Sequence, residues 1–226
     1  MPPAPQDGPW TARTLYEFQG ADDGGNPSAM IMDSSGTIYG TTEYGGVFNK
    51  NCPLGCGVIF ELFPVNGTWA YKVLYAFHGA PHQSPSGNLV EDASGNLYGI
   101  VGVTPYAAGD IFELSPPAGG TGPWTLSYIH LYHHNYPATN LTLAPNGTLY
   151  GDIYGDQDLD YGYIFQMTPP AQQGGAWTYT TLVDFNQAPF YAYQNPCGVV
   201  VGLQGDIYSP LSGGGYGNGS IVSVVP

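Results

Sequence analysis

Positive charge is nearly absent from this 226-residue chain: Arg13, Lys50 and Lys72 stand against 17 Asp and Glu, for a formal net charge of −14. A phosphate backbone is bound through a basic footprint. Nucleic acid is therefore excluded as a partner, and an anionic membrane surface with it. Charge of either sign is scarce, at 9% of residues against roughly 25% in an ordinary soluble domain. Long apolar runs are missing too, and none approaches the roughly 20 residues of a membrane-spanning helix. No leader-like segment follows Met1, so the chain reads as a mature form. Among the few cysteines, Cys52 and Cys56 lack the second ligand pair that a zinc site needs. They are expected to form a local disulfide, which implies an oxidising compartment, and Cys197 is expected to be a buried thiol. Gly-x-Ser-x-Gly, His-Glu-x-x-His and phosphate-binding glycine loops are all absent.

What is abundant is Gly (34), Pro (21) and Tyr (19). Gly and Pro disrupt helix interiors, so the mixture favours short strands and tight turns. A hydrophobic content of 42% with 14% aromatics is enough to bury a core and argues against disorder. The surface left over is Tyr, Ser, Thr, Asn, Gln and Gly, which suits a neutral polar ligand such as a glycan.

Three patterns repeat in phase. Four segments begin at Trp10, Trp69, Trp124 and Trp177, with spacings of 59, 55 and 53 residues. Gly36-Thr-Ile-Tyr39, Gly95-Asn-Leu-Tyr98, Gly147-Thr-Leu-Tyr150 and Gly205-Asp-Ile-Tyr208 recur with them. So do Gly57-Val-Ile-Phe-Glu-Leu62, Gly109-Asp-Ile-Phe-Glu-Leu114, Gly162-Tyr-Ile-Phe-Gln-Met167 and Gly219-Ser-Ile-Val-Ser-Val224. Each unit reads as four strands: one after a Pro (Pro27, Pro85, Pro137, Pro196), a hairpin to the Tyr strand, the Ile-Phe-Glu-Leu strand, and the Trp strand. In the last, Trp69, Tyr71, Val73, Tyr75 and Phe77 alternate with other residues and are expected on one face. His130 keeps this phase at the place of Tyr16 and Tyr75, and is expected to be a packed strand residue.

The fold predicted is all-β: a single four-bladed β-propeller over residues 1–226, with four antiparallel strands per blade. Blades are expected near 27–77, 85–132, 137–185 and 196–226, the last completed by residues 10–18, which would pair with 219–224 and remove an exposed sheet edge. The repeats resemble the GloVer-type tandem repeats of secreted bacterial proteins. Gly36-Thr-Ile-Tyr-Gly-Thr-Thr42, Gly45-Gly46 and Gly57-Val-Ile-Phe-Glu-Leu62 carry the likeness, which extends from about Trp10 to Val224. The fourth repeat departs from it, with Ser209 and Val222 where Gly and Phe are usual. The resemblance implies export and a propeller-like fold, and carries no activity with it.

Two sets of loops are expected to crowd one face of such a fold, and binding residues concentrate on loops held by a rigid scaffold. The binding candidates there are Asp22, Asp23, Tyr44, His78, His82, Tyr106, His133, His134, Tyr136, Tyr154, Tyr191, Tyr193 and Tyr216, because Tyr offers a flat apolar ring and a polar tip to a sugar. The reading is an extracellular or cell-surface carbohydrate-binding module for a polysaccharide or other neutral polar ligand. One alternative is a hydrolase or lyase on the same face, with His133, His134, Tyr136, Asp152 and Glu43 as catalytic candidates, since a glycosidase needs only two suitably spaced carboxylates. The other is a structural surface protein that self-associates. Asp156, Asp158 and Asp160, at alternate positions, are candidate calcium ligands. No other cofactor is expected.

Overall fold

The computed structural model describes residues 11–79, 84–102, 109–130, 138–153, 162–172, 174–186, 196–212 and 218–225. Turn chemistry starts each repeat. The Asp33 carboxylate accepts the backbone N–H groups of Ser35 and Thr37 at 2.8 and 2.9 Å, and Asp92 does the same for Ser94 and Asn96. Gly36 and Gly95 close these turns at φ of 87° and 81°, a conformation open to Gly without strain. The hairpins grow into four antiparallel sheets. The first is β1 (Gly25–Met32), β2 (Ile38–Tyr44), β3 (Val58–Val65) and β4 (Thr68–Ala76). The second is β5 (Ser86–Glu91), β6 (Leu97–Val101), β7 (Asp110–Ser115) and β8 (Thr125–His130), and the third β9 (Ala138–Leu143), β10 (Leu149–Ile153), β11 (Tyr163–Thr168) and β12 (Thr178–Asp184). The fourth has three strands: β13 (Val200–Val201), β14 (Ile207–Leu211) and β15 (Ser220–Val224). Each sheet, here called a blade, runs in chain order.

The core lies between blades. Separate buried clusters join blades one and two, two and three, and three and four, while a further cluster joins residues 11–18 to blade one. The strands carrying Trp make this happen by a device that alternation alone does not show. Opposite β3, Val73 pairs with Phe60 and Tyr75 with Ile59, so Leu74 is an extra residue. The same bulge recurs at Ile129 and Leu182. A bulge slips the period of two by one residue. The expectation that Trp69 through Phe77 share one face is thereby corrected: Tyr71 and Val73 pack toward residues 11–18, whereas Leu74, Tyr75 and Phe77 pack toward blade two. Phe77 meets Phe112 at 5.9 Å, Phe18 meets Phe60 at 5.2 Å, and the ring of His130 stacks on Tyr179 at 4.2 Å.

First strands join one another by side chains. Ser28 donates to the Pro85 carbonyl at 3.2 Å, Asn88 exchanges two hydrogen bonds with the Leu141 backbone at 2.8 and 2.7 Å, and Thr142 donates to the Val199 carbonyl. These bonds set blades one to four in sequence.

The closure expected for the fourth blade is not formed among the described residues. Residues 11–18 carry no ladder, and β15 pairs with β14. Side chains hold the segment elsewhere: Tyr16 stacks on Tyr71 at 4.1 Å and Phe18 packs edge-on against it at 5.6 Å. These contacts occupy its apolar side chains on blade one without engaging the backbone of β15.

The structure also explains the departures in repeat four. Gly40, Gly99 and Gly151 lie directly opposite Phe60, Phe112 and Phe165. A Cβ at Gly99 would come within 2.6 Å of the Phe112 ring and 2.8 Å of Leu89. Ser209 faces Val222, so the smaller partner makes room for a side chain. Gly99→Ala is accordingly expected to cost about 1–3 kcal/mol by overpacking in denaturant unfolding, and distinctly less in a Phe112→Val background. Equal cost in both backgrounds would contradict the pairing.

Candidate functional site

Three loops meet at one end of blade one. Gly46 N–H donates to the Ala21 carbonyl at 2.8 Å, so the turn before β1 touches the loop between β2 and β3. Ser84 N–H donates to the Cys56 carbonyl at 2.9 Å, and the Asn49 amide donates to the His78 carbonyl at 2.8 Å. The loop after β4 thus joins the same platform. Cys52 and Cys56 form a disulfide within it, their Cα atoms 5.2 Å apart. Gly45 and Gly55 pack backbone to backbone, leaving no space for a Cβ on either.

Of the candidates here, Asp23 has a structural task. Its carboxylate accepts from the Gln19 N–H and the Tyr16 hydroxyl, both at 2.8 Å, and from the Ala21 N–H at 3.2 Å. The Tyr71 hydroxyl caps its carbonyl. Burial opposes ionisation of Asp23, but these hydrogen bonds outweigh it and hold the carboxyl below its ordinary value. Burial, and after it the Asp23 carboxylate, pushes Tyr16 up to about 12. Asp22 is exposed beside it.

Glu43 and Tyr44 end β2 beside the first strand. The Asn26 amide donates to Glu43 at 2.8 Å, with Asn26 held at φ 55°, a left-handed conformation that Asn tolerates. Tyr44 sits opposite Gly25 and is 40% exposed. His78 is exposed on the far side of the disulfide loop, edge-on to Tyr75 at 6.2 Å. The structure therefore holds Asn26 on Glu43 at the end of β2 and exposes the next residue, Tyr44, on the opposite face of the strand, with Asp22 and His78 exposed on neighbouring loops. Sequence reasoning missed the Asn26–Glu43 pair and the organising role of Asn49; neither lies in a repeated motif.

Two expectations are corrected. Asp152, a catalytic candidate, lies within β10 opposite Ile164 with 0% exposure, so it is withdrawn from the solvent face. Cys197 is exposed instead of buried; desolvation of its sulfur and then the Asp152 charge push the thiol up. His82, Tyr106, His133, His134, Tyr136, Tyr154, Tyr191, Tyr193 and Tyr216 lie outside the described residues. So do the calcium candidates Asp156, Asp158 and Asp160.

No helix among the described residues is long and apolar enough to cross a membrane. The sequence profile of the Gloeobacter/Verrucomicrobia repeat matches residues 5–151. No curated protein sequence matches the chain. Solved structures share its fold at low identity. One, described as a gluconolactonase, is 16% identical with a TM-score of 0.53 over 88% of this chain and 64% of its own. PorZ, a surface component of the type-IX secretion system of Porphyromonas gingivalis, is 13% identical, with a TM-score of 0.55 over 87% of this chain and 25% of its own. Virginiamycin B lyase from Staphylococcus aureus is 12% identical, with a TM-score of 0.50 over 89% and 56%. The chain thus spans less than two thirds of the length of each. These likenesses establish an all-β, propeller-like arrangement of sheets.

A carboxylate whose pKa falls on folding stabilises the folded form above its unfolded value, and that contribution is lost as pH drops through the lowered value. Residues 11–24 should therefore be released in acid below the ordinary aspartate value of 3.8, and by Asp23→Asn at neutral pH. Hydrogen-exchange protection at Gln19 and Ala21 reports both. Protection maintained in acid and in the variant would remove Asp23 from this role.

Proposed function

The chain belongs to the Gloeobacter/Verrucomicrobia repeat family, and from that premise we propose that it is an extracellular module binding a neutral polysaccharide on its loop end. The carrying observation is the exposed Tyr44 ring at the end of β2, where the Asn26–Glu43 hydrogen bond and the adjoining disulfide-closed loops fix the surrounding backbone. A flat ring covers the apolar face of a sugar while its hydroxyl addresses sugar hydroxyls. Loops already fixed lose little freedom on binding. With three basic residues in the chain, an anionic polymer finds little to pair with. The disulfide supports an oxidising location, as does the likeness to a bacterial surface component.

Binding without turnover is favoured over hydrolysis or elimination by the commitment of Glu43 to Asn26 and by the burial of Asp152. A glycan array run beside reducing-sugar and unsaturated-product assays tests the reading. Tyr44→Ala should weaken binding to the selected glycan roughly fivefold, the size of one stacking contact of about 1 kcal/mol, with an unchanged melting temperature. Full affinity in Tyr44→Ala would move the site away from this patch. Turnover that falls about 10²-fold in Glu43→Gln would make the protein an enzyme instead. Silence in every assay would favour a self-associating structural role.

A further inference from the structure

A groove of about 680 Å³ separates blades two and three. The turns at its mouth, between β5 and β6 and between β7 and β8, lie at the end of the blades opposite the loop platform. One wall is a row across blade two: Tyr98 faces Glu113, and Glu113 faces Ser127. The other wall is Trp177, which meets Tyr98 edge-on at 5.6 Å.

The neighbouring interfaces are built from the same positions. Between blades one and two the row reads Tyr39, Glu61 and Lys72, closed by Trp124 at 6.2 Å from Tyr39. There the Lys72 ammonium sits 3.1 Å from the Glu61 carboxylate. In blade three the row reads Tyr150, Gln166 and Thr180, with no charge. Blade two alone of these three keeps the carboxylate and replaces the lysine with a short serine. Glu113 accepts a bond from Ser115 at 3.1 Å, and no cation reaches it among the described residues. The chain's own repeat therefore shows what fits the position: an ammonium on a flexible apolar stem.

We propose that this groove binds a primary alkylammonium, the side chain of a lysine on a partner peptide, in the place that Lys72 occupies one blade earlier. Glu113 supplies the counter-charge, and the aromatic walls receive both the methylene stem and the cation. The net charge of −14 draws a basic partner toward the surface. This site is separate from the glycan patch in place and chemistry, and stands or falls without it.

Calorimetric titration of the intact protein with N-acetyl-lysine methylamide tests the assignment, with the norleucine analogue as the uncharged control. The lysine probe should bind at least roughly fivefold more tightly than the control, and salt should weaken it. Glu113→Gln should reduce affinity roughly fivefold or more, and Ser127→Lys should abolish binding by supplying the ammonium internally, both at wild-type far-UV dichroism. Equal binding of the norleucine analogue, or wild-type affinity in either variant, would overturn the proposal. Absence of any binding by the lysine probe would overturn it too. Tighter binding of 1,5-diaminopentane than of the lysine probe would overturn the peptide occupant in favour of a free diamine.

Discussion

Phe77, fully buried, meets the ring of Phe112 edge-on at 5.9 Å, and through that contact a strand of one blade becomes part of the core of the next. Successive blades share no ladder among the described strands. Their association rests chiefly on side chains, and a fully buried aromatic contributes about 1.5–3 kcal/mol by desolvation alone. The bulge at Leu74, Ile129 and Leu182 makes the arrangement workable. One strand presents its first aromatics to the preceding partner and its last to the following one. Without the slip, all of them would crowd a single face and the other interface would go unfilled.

The loop platform follows from that geometry. Blades fixed face to face bring the loop after β4 against the loop between β2 and β3, where backbone hydrogen bonds and the disulfide complete the fit. The groove at the opposite end is what remains where two blades diverge beyond their shared core. Its character is set by the row that ends in Lys72, Ser127 or Thr180. Function in such a scaffold varies through residues that the core does not need.

Much of this was legible in residue order, and the reasons are local. A phase shared by three motifs placed strands and turns correctly, because Asp33 and Asp92 with their glycines can do little but close a hairpin. His130 is a packed strand residue as expected, although the bulge at Ile129 turns it onto Tyr179 of the third blade and away from the face of Trp124, Leu126 and Tyr128. The bulge escaped because alternation of large residues looks continuous across it. Its signal was nonetheless present in Leu15, Leu74, Ile129 and Leu182, apolar residues at the position that should have been polar. The burial of Asp152 escaped for a related reason: a lone carboxylate in a strand carries no mark of which way it points. Blade closure misled because residues 11–18 have the strand pattern, while Tyr16 and Phe18 bind the segment through their rings and leave its backbone without a ladder.

The claim beneath the whole description is that blades are coupled by aromatic pairs reaching from one Trp strand into the next sheet. A double-mutant cycle on Phe77 and Phe112, with each changed to Leu and both together, measures that coupling directly in equilibrium unfolding. The account predicts a coupling energy of about 0.5–1.5 kcal/mol, the range of aromatic pairs beyond their buried area. Strict additivity of the two substitutions would contradict it.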